Sequence, residues 1–422
     1  MSVPTPTRRE AFSVFAKIGL LSFGGPAAQI SLMHKYLVDE KSWLSEKQFL
    51  NGLSFCMLLP GPEAMQLATY TGWRLHGVIG GLVAGLLFVL PGAIIILTLA
   101  AIYAELGSLP LVGALFLGVK AAVLVIVIEA LLRVAKKALK GHDHWLIAGL
   151  AFVGIFFLSL PYPLIIFLAA AYGLIKGGET GDATKPIIAV SPWQTLRTIL
   201  TWMVVWLGPI WAVDQVFSTG ILAALGLFFS KLAVVTFGGA YAVLAYMAQD
   251  VVVGLGWLEA GEMMDGLGLA ETTPGPLILV TEFVGFLAAF REGGFWLGVA
   301  GALVTLWATF TPCFLWIFTG APYIEWIGAQ PRLSGALTAI TAAVVGVILN
   351  LSIWFGLHVV FTRVGREDFG ILTLWKPELA SIDWRVLVLS GLCGFLLLKL
   401  HWGMVKVLCL SAGLGWVLVS LF

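Results

Sequence analysis

The sequence predicts an all-α membrane protein that crosses the bilayer many times, and three observations predict this class. The chain of 422 residues is 60% hydrophobic and only 11% charged, whereas soluble domains carry about 25% charged residues. Apolar runs of roughly 20 residues, each long enough to cross about 30 Å of hydrocarbon, recur from one end to the other. Finally, one pattern of residues occurs twice, which indicates two homologous helical repeats with broken helices.

The apolar runs place about 13 spans along the chain. We expect them near residues 12–33, 47–75, 78–104, 111–132, 145–159, 161–176, 198–217, 220–249, 258–291, 294–319, 333–358, 385–400 and 402–421. Arg8 and Arg9 hold the first end in the cytoplasm, and we infer no removable signal peptide there. The predicted domains are an N-terminal repeat (1–176), a linker with an extra transmembrane helix (177–219) and a C-terminal repeat (220–422).

The repeat is an ungapped match between residues 17–62 and 231–276, in which 14 of 46 positions are identical. The shared positions include a lysine, FGG, Trp-Leu and PGP, whereas chance similarity between apolar helices gives only leucine on leucine. Because seven spans separate the two starts, we expect the second half to be inverted, as in many secondary transporters. The basic residues of the first half agree with this orientation and those of the second half do not, so a parallel duplication is the alternative.

The two FGG motifs place glycine pairs within apolar spans, at Gly24 and Gly25 and at Gly238 and Gly239. Glycine costs about 1 kcal/mol in a helix, and the proline that follows the first pair costs about 3 kcal/mol. The motif therefore predicts either a helix break that contributes to a binding site or a close contact between helices through small residues.

A PGP motif divides one span in each half, at 60–62 and at 274–276. Proline lacks a backbone N–H and disfavours helix at the residue before it, so each motif predicts a discontinuous helix or a re-entrant tip. Such backbone persists at membrane depth only inside protein or beside a water-filled cavity. The helix that follows directs free N–H groups there, so we expect an anion site that includes Gly61 and Gly275. A plain kink is the alternative.

Lys17 and Lys231 occupy equivalent positions, six residues before the phenylalanine of FGG. A lysine within a span tends to line a polar cavity. Together with the matched hydroxyls of Ser22 and Thr236, the two ammonium groups suit a tetrahedral dianion. The alternative is snorkelling, because Lys17 lies about two turns from the cytoplasmic end and can reach the lipid headgroups.

Carboxylates near the broken spans are candidates for coupling transport to protons, because a carboxyl in a low-dielectric site can bind a proton near neutral pH. Glu63 directly follows the first PGP and is the first candidate, and Gln66, one turn later, is a candidate substrate ligand. In the second half, Glu271 precedes PGP and Glu282 follows it. Stabilisation of a helix N-terminus is the alternative role for Glu63.

Other function classes find no support in the sequence. HExxH, GxSxG and Walker motifs are missing, so the sequence indicates neither an enzyme nor an ATP-driven pump, and we expect no catalytic residues and no cofactor. The four cysteines lie far apart without a CxxC motif, and we expect no metal site. A net charge of +1 gives no sign of nucleic-acid binding.

These motifs resemble the chromate ion transporter family in its long two-domain form. The resemblance is carried by FGGP, WLSEKQFLNGL and LLPGPEAMQLATYTGWRLHGVIGG in the first half, and by FSKLAVVTFGGAYAVLAYM and GLAETTPGPLILVTEFVGF in the second. It covers nearly the whole chain. It implies a secondary transporter that exports chromate across the bacterial cytoplasmic (inner) membrane and confers chromate resistance, with sulfate as a structural mimic of the substrate.

The sequence leaves the driving force open between the membrane potential, a proton and a counter-anion, and it leaves a homodimer open. An anion channel, or a transporter of another inorganic or organic anion, is the alternative function. Saturable flux with counter-transport distinguishes a carrier from a channel.

Overall fold

The computed structural model describes residues 6–107, 109–177, 191–217, 219–237, 240–324, 330–370 and 372–421, and these are mostly α-helical. The helices of the first half are α1 (Arg8–Leu21), α2 (Gly25–His34), α3 (Glu46–Leu58), α4 (Glu63–Leu106), α5 (Pro110–Ala138), α6 (His142–Phe156) and α7 (Tyr162–Lys176). Those that follow are α8 (Pro192–Val216), α9 (Ile221–Val235), α10 (Ala240–Gln249), α11 (Ala260–Thr272), α12 (Val280–Gly320), α13 (Pro331–Val360), α14 (Trp384–Gly394) and α15 (Met404–Leu421).

Six helices in the described part of the chain are long and apolar enough to cross a membrane. They are Glu63–Leu106, Pro110–Ala138, Pro192–Val213, Leu277–Tyr323, Pro331–Val360 and Met404–Leu421. The number differs from the predicted spans because some of those spans are shorter apolar helices or are interrupted, and because two pairs of neighbouring spans each form one kinked helix. The predicted class, an all-α polytopic membrane protein, is confirmed.

The described chain forms two compact units, and each takes segments from both sequence halves. Unit 1 comprises residues 1–101, 180–240 and 273–330, and unit 2 comprises 102–179, 241–272 and 331–422. Each unit therefore contains segments of both predicted repeats.

Unit 1 has a core built around α12, which packs against α8 and α9. Its largest fully buried side chains are phenylalanines: Phe49, Phe55, Phe88, Phe229, Phe283 and Phe286. Glycines on α4 let α12 come close, since a Cβ at Gly85 would lie 2.7 Å from the ring of Phe314. Aromatic side chains on one helix thus fill the space that glycines leave on the other.

Unit 2 is organised around α5, which packs against α11, α13, α14 and α15, while α13 also packs against α6 and α7. A short antiparallel sheet joins this unit, formed by β1 (Val364–Phe369) and β2 (Leu372–Pro377). Its attachment is polar: Thr373 N donates to the Phe157 carbonyl at 2.7 Å, and the Thr373 and Ser159 hydroxyls lie 3.1 Å apart.

Backbone geometry repeats at matched positions of the two halves. The π-helical turn at Lys35–Glu40 corresponds to the one at Asp250–Gly254. After each turn the chain closes with the same bond: Trp43 N donates to the Leu37 carbonyl at 2.8 Å, and Trp257 N to the Val251 carbonyl at 2.9 Å.

The two longest helices also bend in the same way. Gly77 in α4 has φ 66° and ψ −156°, and Gly294 in α12 has φ 74° and ψ −165°. Both values lie in a region that glycine tolerates and other residues avoid. Each bend separates the short helix that follows a PGP motif from the longer helix after it.

Candidate functional site

The FGG motif of the first half interrupts its span between α1 and α2. Gly24 and Gly25 have φ values of 87° and 78°, which cost residues with a Cβ about 1–2 kcal/mol. A Cβ at Gly25 would have no neighbour within 4 Å, so the loop borders open space. The equivalent Gly238 and Gly239 lie outside the described residues.

Each PGP motif also interrupts a span. The first lies between the end of α3 at Leu58 and the start of α4 at Glu63. The second lies between the end of α11 at Thr272 and the short 3₁₀ turn Leu277–Leu279 that leads into α12. The central glycines, Gly61 and Gly275, have φ values of 119° and 94°.

Hydrogen bonds between the two halves hold both PGP glycines. Gly61 N donates to the Thr236 carbonyl at 2.8 Å, and Gly275 N donates to the Ser22 carbonyl at 2.9 Å. Ser22 and Thr236 are equivalent in the repeat, as are Gly61 and Gly275. Each half therefore ends its own FGG helix against the PGP loop of the other half, and we call these four segments the crossed loops (residues 22–25, 59–62, 236–237 and 273–276).

The long helices supply a second contact to each PGP loop. A Cβ at Gly92 on α4 would overlap the Pro274 carbonyl, and a Cβ at Gly61 would lie 2.9 Å from Cys313 Sγ on α12. Gly92 and Cys313 each follow a proline within the helix, Pro91 and Pro312. The two PGP loops are thus enclosed by both halves, and neither Gly61 nor Gly92 has room for a larger side chain.

Two buried amide side chains complete the polar contacts. Gln66 Nε2 donates to the Pro60 carbonyl at 2.7 Å, and Gln66 Oε1 has no hydrogen-bond partner among the described residues. Gln29 Nε2 donates to the Gly275 carbonyl at 2.7 Å and to the Ser22 carbonyl at 3.2 Å. Only the first half has these amides: the position equivalent to Gln66 holds Val280, and the position equivalent to Gln29 holds Val243.

The sequence did not single out Gln29. The only signal in the sequence is that a glutamine occurs within an apolar helix, five residues after Gly24 of the FGG motif. The contact that matters is with Gly275, 246 positions away, and such a contact cannot be inferred from spacing along one helix.

The predicted hydroxyl ligands face their own helices. Ser22 Oγ donates to the Ile18 carbonyl at 2.6 Å and Thr236 Oγ1 to the Leu232 carbonyl at 2.6 Å. Both residues are buried. In this conformation each hydroxyl therefore closes the last turn of a helix, and its oxygen remains an acceptor rather than a donor toward the loops.

The two predicted lysine ligands lie on exposed helix faces. Lys17 Nζ lies over the ring of Tyr36, 4.7 Å from its centroid, and a shallow groove beside it is lined by Arg9, Phe12, Ser13 and Leu21. Lys231 is exposed on α9. The buried PGP glycines and the exposed lysines are therefore different parts of unit 1.

The three predicted coupling carboxylates have different environments. Glu63 is half-buried at the first residue of α4. Glu282 is buried in the first turn of α12, and its Oε2 has no hydrogen-bond partner among the described residues. Glu271 belongs to unit 2, where Tyr241 Oη donates to its Oε1 at 2.7 Å.

No group of three metal-ligating side chains occurs within the described ranges. The polar atoms at the crossed loops are backbone N–H and carbonyl groups, two amides and the hydroxyls of Ser22 and Thr236.

Comparison with known proteins decides the family. The chromate transporter family matches residues 9–174 and 223–416, one range in each half. The chain belongs to the chromate transporter family. This family consists of membrane transporters rather than enzymes, so the expected class of protein and an oxyanion as its kind of substrate are supported.

Members of the chromate transporter family resemble the chain over most of its length. The chromate transport protein of Pseudomonas aeruginosa is 33% identical over 415 residues, 94% of both chains. The probable chromate transport protein of Synechococcus elongatus is 30% identical over 401 residues, 93% of this chain and 96% of that one. The chromate transport protein of Cupriavidus metallidurans is 31% identical over 82% of each chain. No solved structure matches the chain significantly.

These bacterial relatives of the chromate transporter family, together with the six long apolar helices, confirm the predicted location. The chain is a multi-pass bacterial membrane protein.

Proposed function

We propose that this chain is a secondary transporter that exports chromate across the cytoplasmic membrane and so confers chromate resistance, with sulfate as a competing oxyanion. Family membership supports chromate as the substrate. The observation that carries the mechanism is the reciprocal bonding of the crossed loops, Gly61 to Thr236 and Gly275 to Ser22. Because each half holds the loop of the other, a movement of one half changes both loops together.

We propose that the oxyanion binds at the crossed loops. Glycine N–H groups and the N-termini of α2 and α4 are the donors that a tetrahedral dianion requires. The Gly61 and Gly275 N–H groups donate to carbonyls here, so binding of the anion exchanges these carbonyl acceptors for anion oxygens. Gln66 and Gln29 turn their amides with the loops, because they bond the Pro60 and Gly275 carbonyls of those loops.

The two exposed lysines act before binding in this proposal. Lys17 and Lys231 attract the dianion to the two entrances of the path, and salt screens this attraction at a distance of about 8–10 Å. Changing both to glutamine is expected to raise the half-saturating chromate concentration more at low salt than at high salt. An effect that does not depend on salt favours the snorkelling alternative.

The membrane potential is a sufficient driving force for export. A dianion that leaves a negative-inside cell gains about 2.3 kcal/mol per charge for each 100 mV. The potential alone therefore drives uniport, and proton coupling or exchange for sulfate adds to it. Glu63, Glu271 and Glu282 are the carboxylates that we propose for such coupling on the basis of the sequence.

Proteoliposomes with an imposed potential test the proposed function. We expect chromate flux that saturates, increases when the chromate-containing side is made negative, and is competed by sulfate. Linear flux without saturation points to an anion channel. Flux no greater than in empty liposomes contradicts chromate transport by this chain.

A further inference from the structure

A carboxyl group, an ammonium group and a phenol meet inside unit 2. Tyr103 Oη donates to Asp265 Oδ2 at 2.8 Å, and Lys120 Nζ lies 3.3 Å from Asp265 Oδ1. Asp265 is 4% exposed, and Oδ1 makes this ion pair but no hydrogen bond among the described residues. One oxygen is thus held by a neutral donor, while the other depends on the position of a flexible lysine.

Close packing of α11 on α5 creates the cluster. A Cβ at Gly268 would overlap the side chain of Val119, and a Cβ at Gly261 would lie 3.2 Å from Lys120 Nζ. These glycines let the helix backbones approach each other. They also leave space around the ammonium group, which a larger side chain at residue 261 would fill.

The repeated fold does not require this cluster. The positions equivalent to Asp265 and Lys120 hold Asn51 and Thr341, which carry no charge. Burying two ions costs several kcal/mol each before their attraction offsets it, so packing alone does not account for them. Ionisable residues at membrane depth typically mark the paths of protons and ions.

We propose that Asp265 is a proton-binding group of the transport cycle, with Lys120 as its movable counter-charge and Tyr103 as the donor that holds its second oxygen. This inference rests on the proposed transport function. It names a carboxyl group that differs from the three coupling candidates that the sequence indicated.

The proton step needs only water and the protein. While Lys120 is near, Asp265 is a carboxylate and the pair is neutral. When Lys120 withdraws, the buried carboxylate loses its counter-charge, so it takes one proton from a hydronium ion, which leaves water, and an O–H bond forms at Oδ1. When Lys120 returns, this bond breaks and the proton passes to water on the other side.

The groups that act electrostatically on Asp265 come from three elements. They are Lys120 on α5, Tyr103 on α4 and Glu262 on α11 itself. The titratable residues of α13 and α15, which also pack on α11, are Arg332, His358, Lys406 and Cys409. Arg332, Lys406 and Cys409 are exposed, and His358 Nδ1 bonds the Trp354 carbonyl at 2.9 Å. Lys120 is therefore the charge whose movement changes the state of Asp265.

The test measures chromate flux and proton movement together in proteoliposomes that contain a trapped pH indicator. We expect chromate-dependent proton movement with the unmodified protein. Asp265→Asn keeps an oxygen that can accept from Tyr103, so we expect this variant to retain downhill chromate flux. We expect its proton movement to fall at least about tenfold and its chromate flux to be independent of pH. Asp143→Asn is the matched control, because Asp143 forms an exposed ion pair with Lys176 in the same unit, and we expect no change.

A neutral double variant separates a proton site from a structural ion pair. Lys120→Gln combined with Asp265→Asn leaves no unpaired charge, so the protein is expected to fold even where the single variants do not. Chromate flux without proton movement in this variant supports the proposal. Proton movement that persists in the double variant, or chromate flux without any proton movement in the unmodified protein, overturns this inference alone. Failure of the unmodified protein to move chromate overturns the proposed function and this inference with it.

Discussion

Gly61 and Gly275 combine a left-handed backbone with a lack of space. Their φ values are 119° and 94°, and a Cβ at Gly61 would lie 2.8 Å from Gln66 Nε2 and 2.9 Å from Cys313 Sγ. Any other residue is strained by the backbone and must also displace a buried neighbour. The conformation of these two residues therefore maintains the crossed loops.

Alanine at Gly61 or Gly275 is expected to destabilise the protein by about 1–3 kcal/mol, because backbone strain of this kind has that cost. The measurement is the thermal midpoint of purified protein in detergent. Gly149→Ala is the control, since Gly149 is helical and a Cβ there meets nothing within 4 Å. Equal midpoints for all three variants would show that the loops tolerate a side chain.

His34 gives the fold a pH-dependent contribution outside the membrane spans. Its Nε2 lies 2.7 Å from Glu46 Oε2, and Asp39 lies 3.4 Å from Nδ1. The hydrogen bond to Glu46 raises the pKa of His34. The stabilisation is therefore fully present below the unfolded pKa of about 6.5 and is lost as the pH rises through the higher folded pKa.

Replacing His34 with glutamine is expected to lower the thermal midpoint most at about pH 5.5, and the difference is expected to shrink as the pH rises and the imidazole loses its proton. The effect is small, about 1 °C or less, because both carboxylates are largely exposed to solvent. Midpoints measured across this range test it. A difference that is the same at all pH values would contradict a charged histidine.

Sequence reasoning at this scale identified which residues are special but not which residues they contact. It singled out Ser22, Thr236, Gly61 and Gly275 because the same or similar residue types recur at matched positions of the repeat. It could not pair Gly61 with Thr236, since a duplication equates Gly61 with Gly275 instead. The cluster of Tyr103, Lys120 and Asp265 was missed for the same reason, because its members are distant in sequence and unmatched in the repeat.

Helix contacts in unit 2 depend on small residues at defined positions. Gly118 on α5 faces α15, where a Cβ would overlap the Ser411 carbonyl. Ser411 Oγ donates to the Gly118 carbonyl at 2.7 Å, and Cys393 Sγ lies 3.3 Å from that hydroxyl. The glycine thus brings α14 and α15 onto α5 through one polar contact.

Valine at Gly118 is expected to separate α5 from α15 and to destabilise the protein by about 1–3 kcal/mol, the usual cost of overpacking. Gly113→Val is the matched control on the same helix, because a Cβ at Gly113 has no neighbour within 4 Å. Resistance to proteolysis and the thermal midpoint in detergent measure the effect. If both valine variants behave alike, the contact does not stabilise unit 2.

Long apolar elements were predictable from the sequence and irregular ones were not. The predicted span at 333–358 corresponds to α13, and that at 402–421 to α15, because hydrophobicity alone sets their extent. The hairpin of β1 and β2 was not predicted. Its strands have only six residues each, and β1 carries three charged residues in succession. Its docking depends on Phe157 and Ser159 from another segment.

At the scale of the whole molecule, the orientation of the two halves is the property that the sequence predicts most specifically. An odd number of spans between the repeats inverts the second half. Asp39 and Val253 are equivalent and both exposed. Inversion therefore places Asp39 outside and Val253 in the cytoplasm.

Single cysteines at Asp39 and Val253, in a variant without the four native cysteines, test the orientation. We expect a membrane-impermeant thiol reagent to label the residue at 39 in intact cells and the residue at 253 only after the cells are opened. Labelling of both from the same side contradicts inverted repeats and supports a parallel duplication.

Chromate flux through paired glycine variants tests the central claim that the two halves build one oxyanion path from their crossed loops. Unmodified protein, Gly61→Ala, Gly275→Ala, the double variant and the control Gly149→Ala are compared in proteoliposomes at one pH and one potential. We expect saturable flux to fall at least about tenfold in each single loop variant. In the double variant we expect it to fall by less than the product of the two single-variant factors, because residues of one site couple. The control is expected to keep its flux. Unchanged flux in both loop variants, with protein present in the bilayer, would contradict the claim.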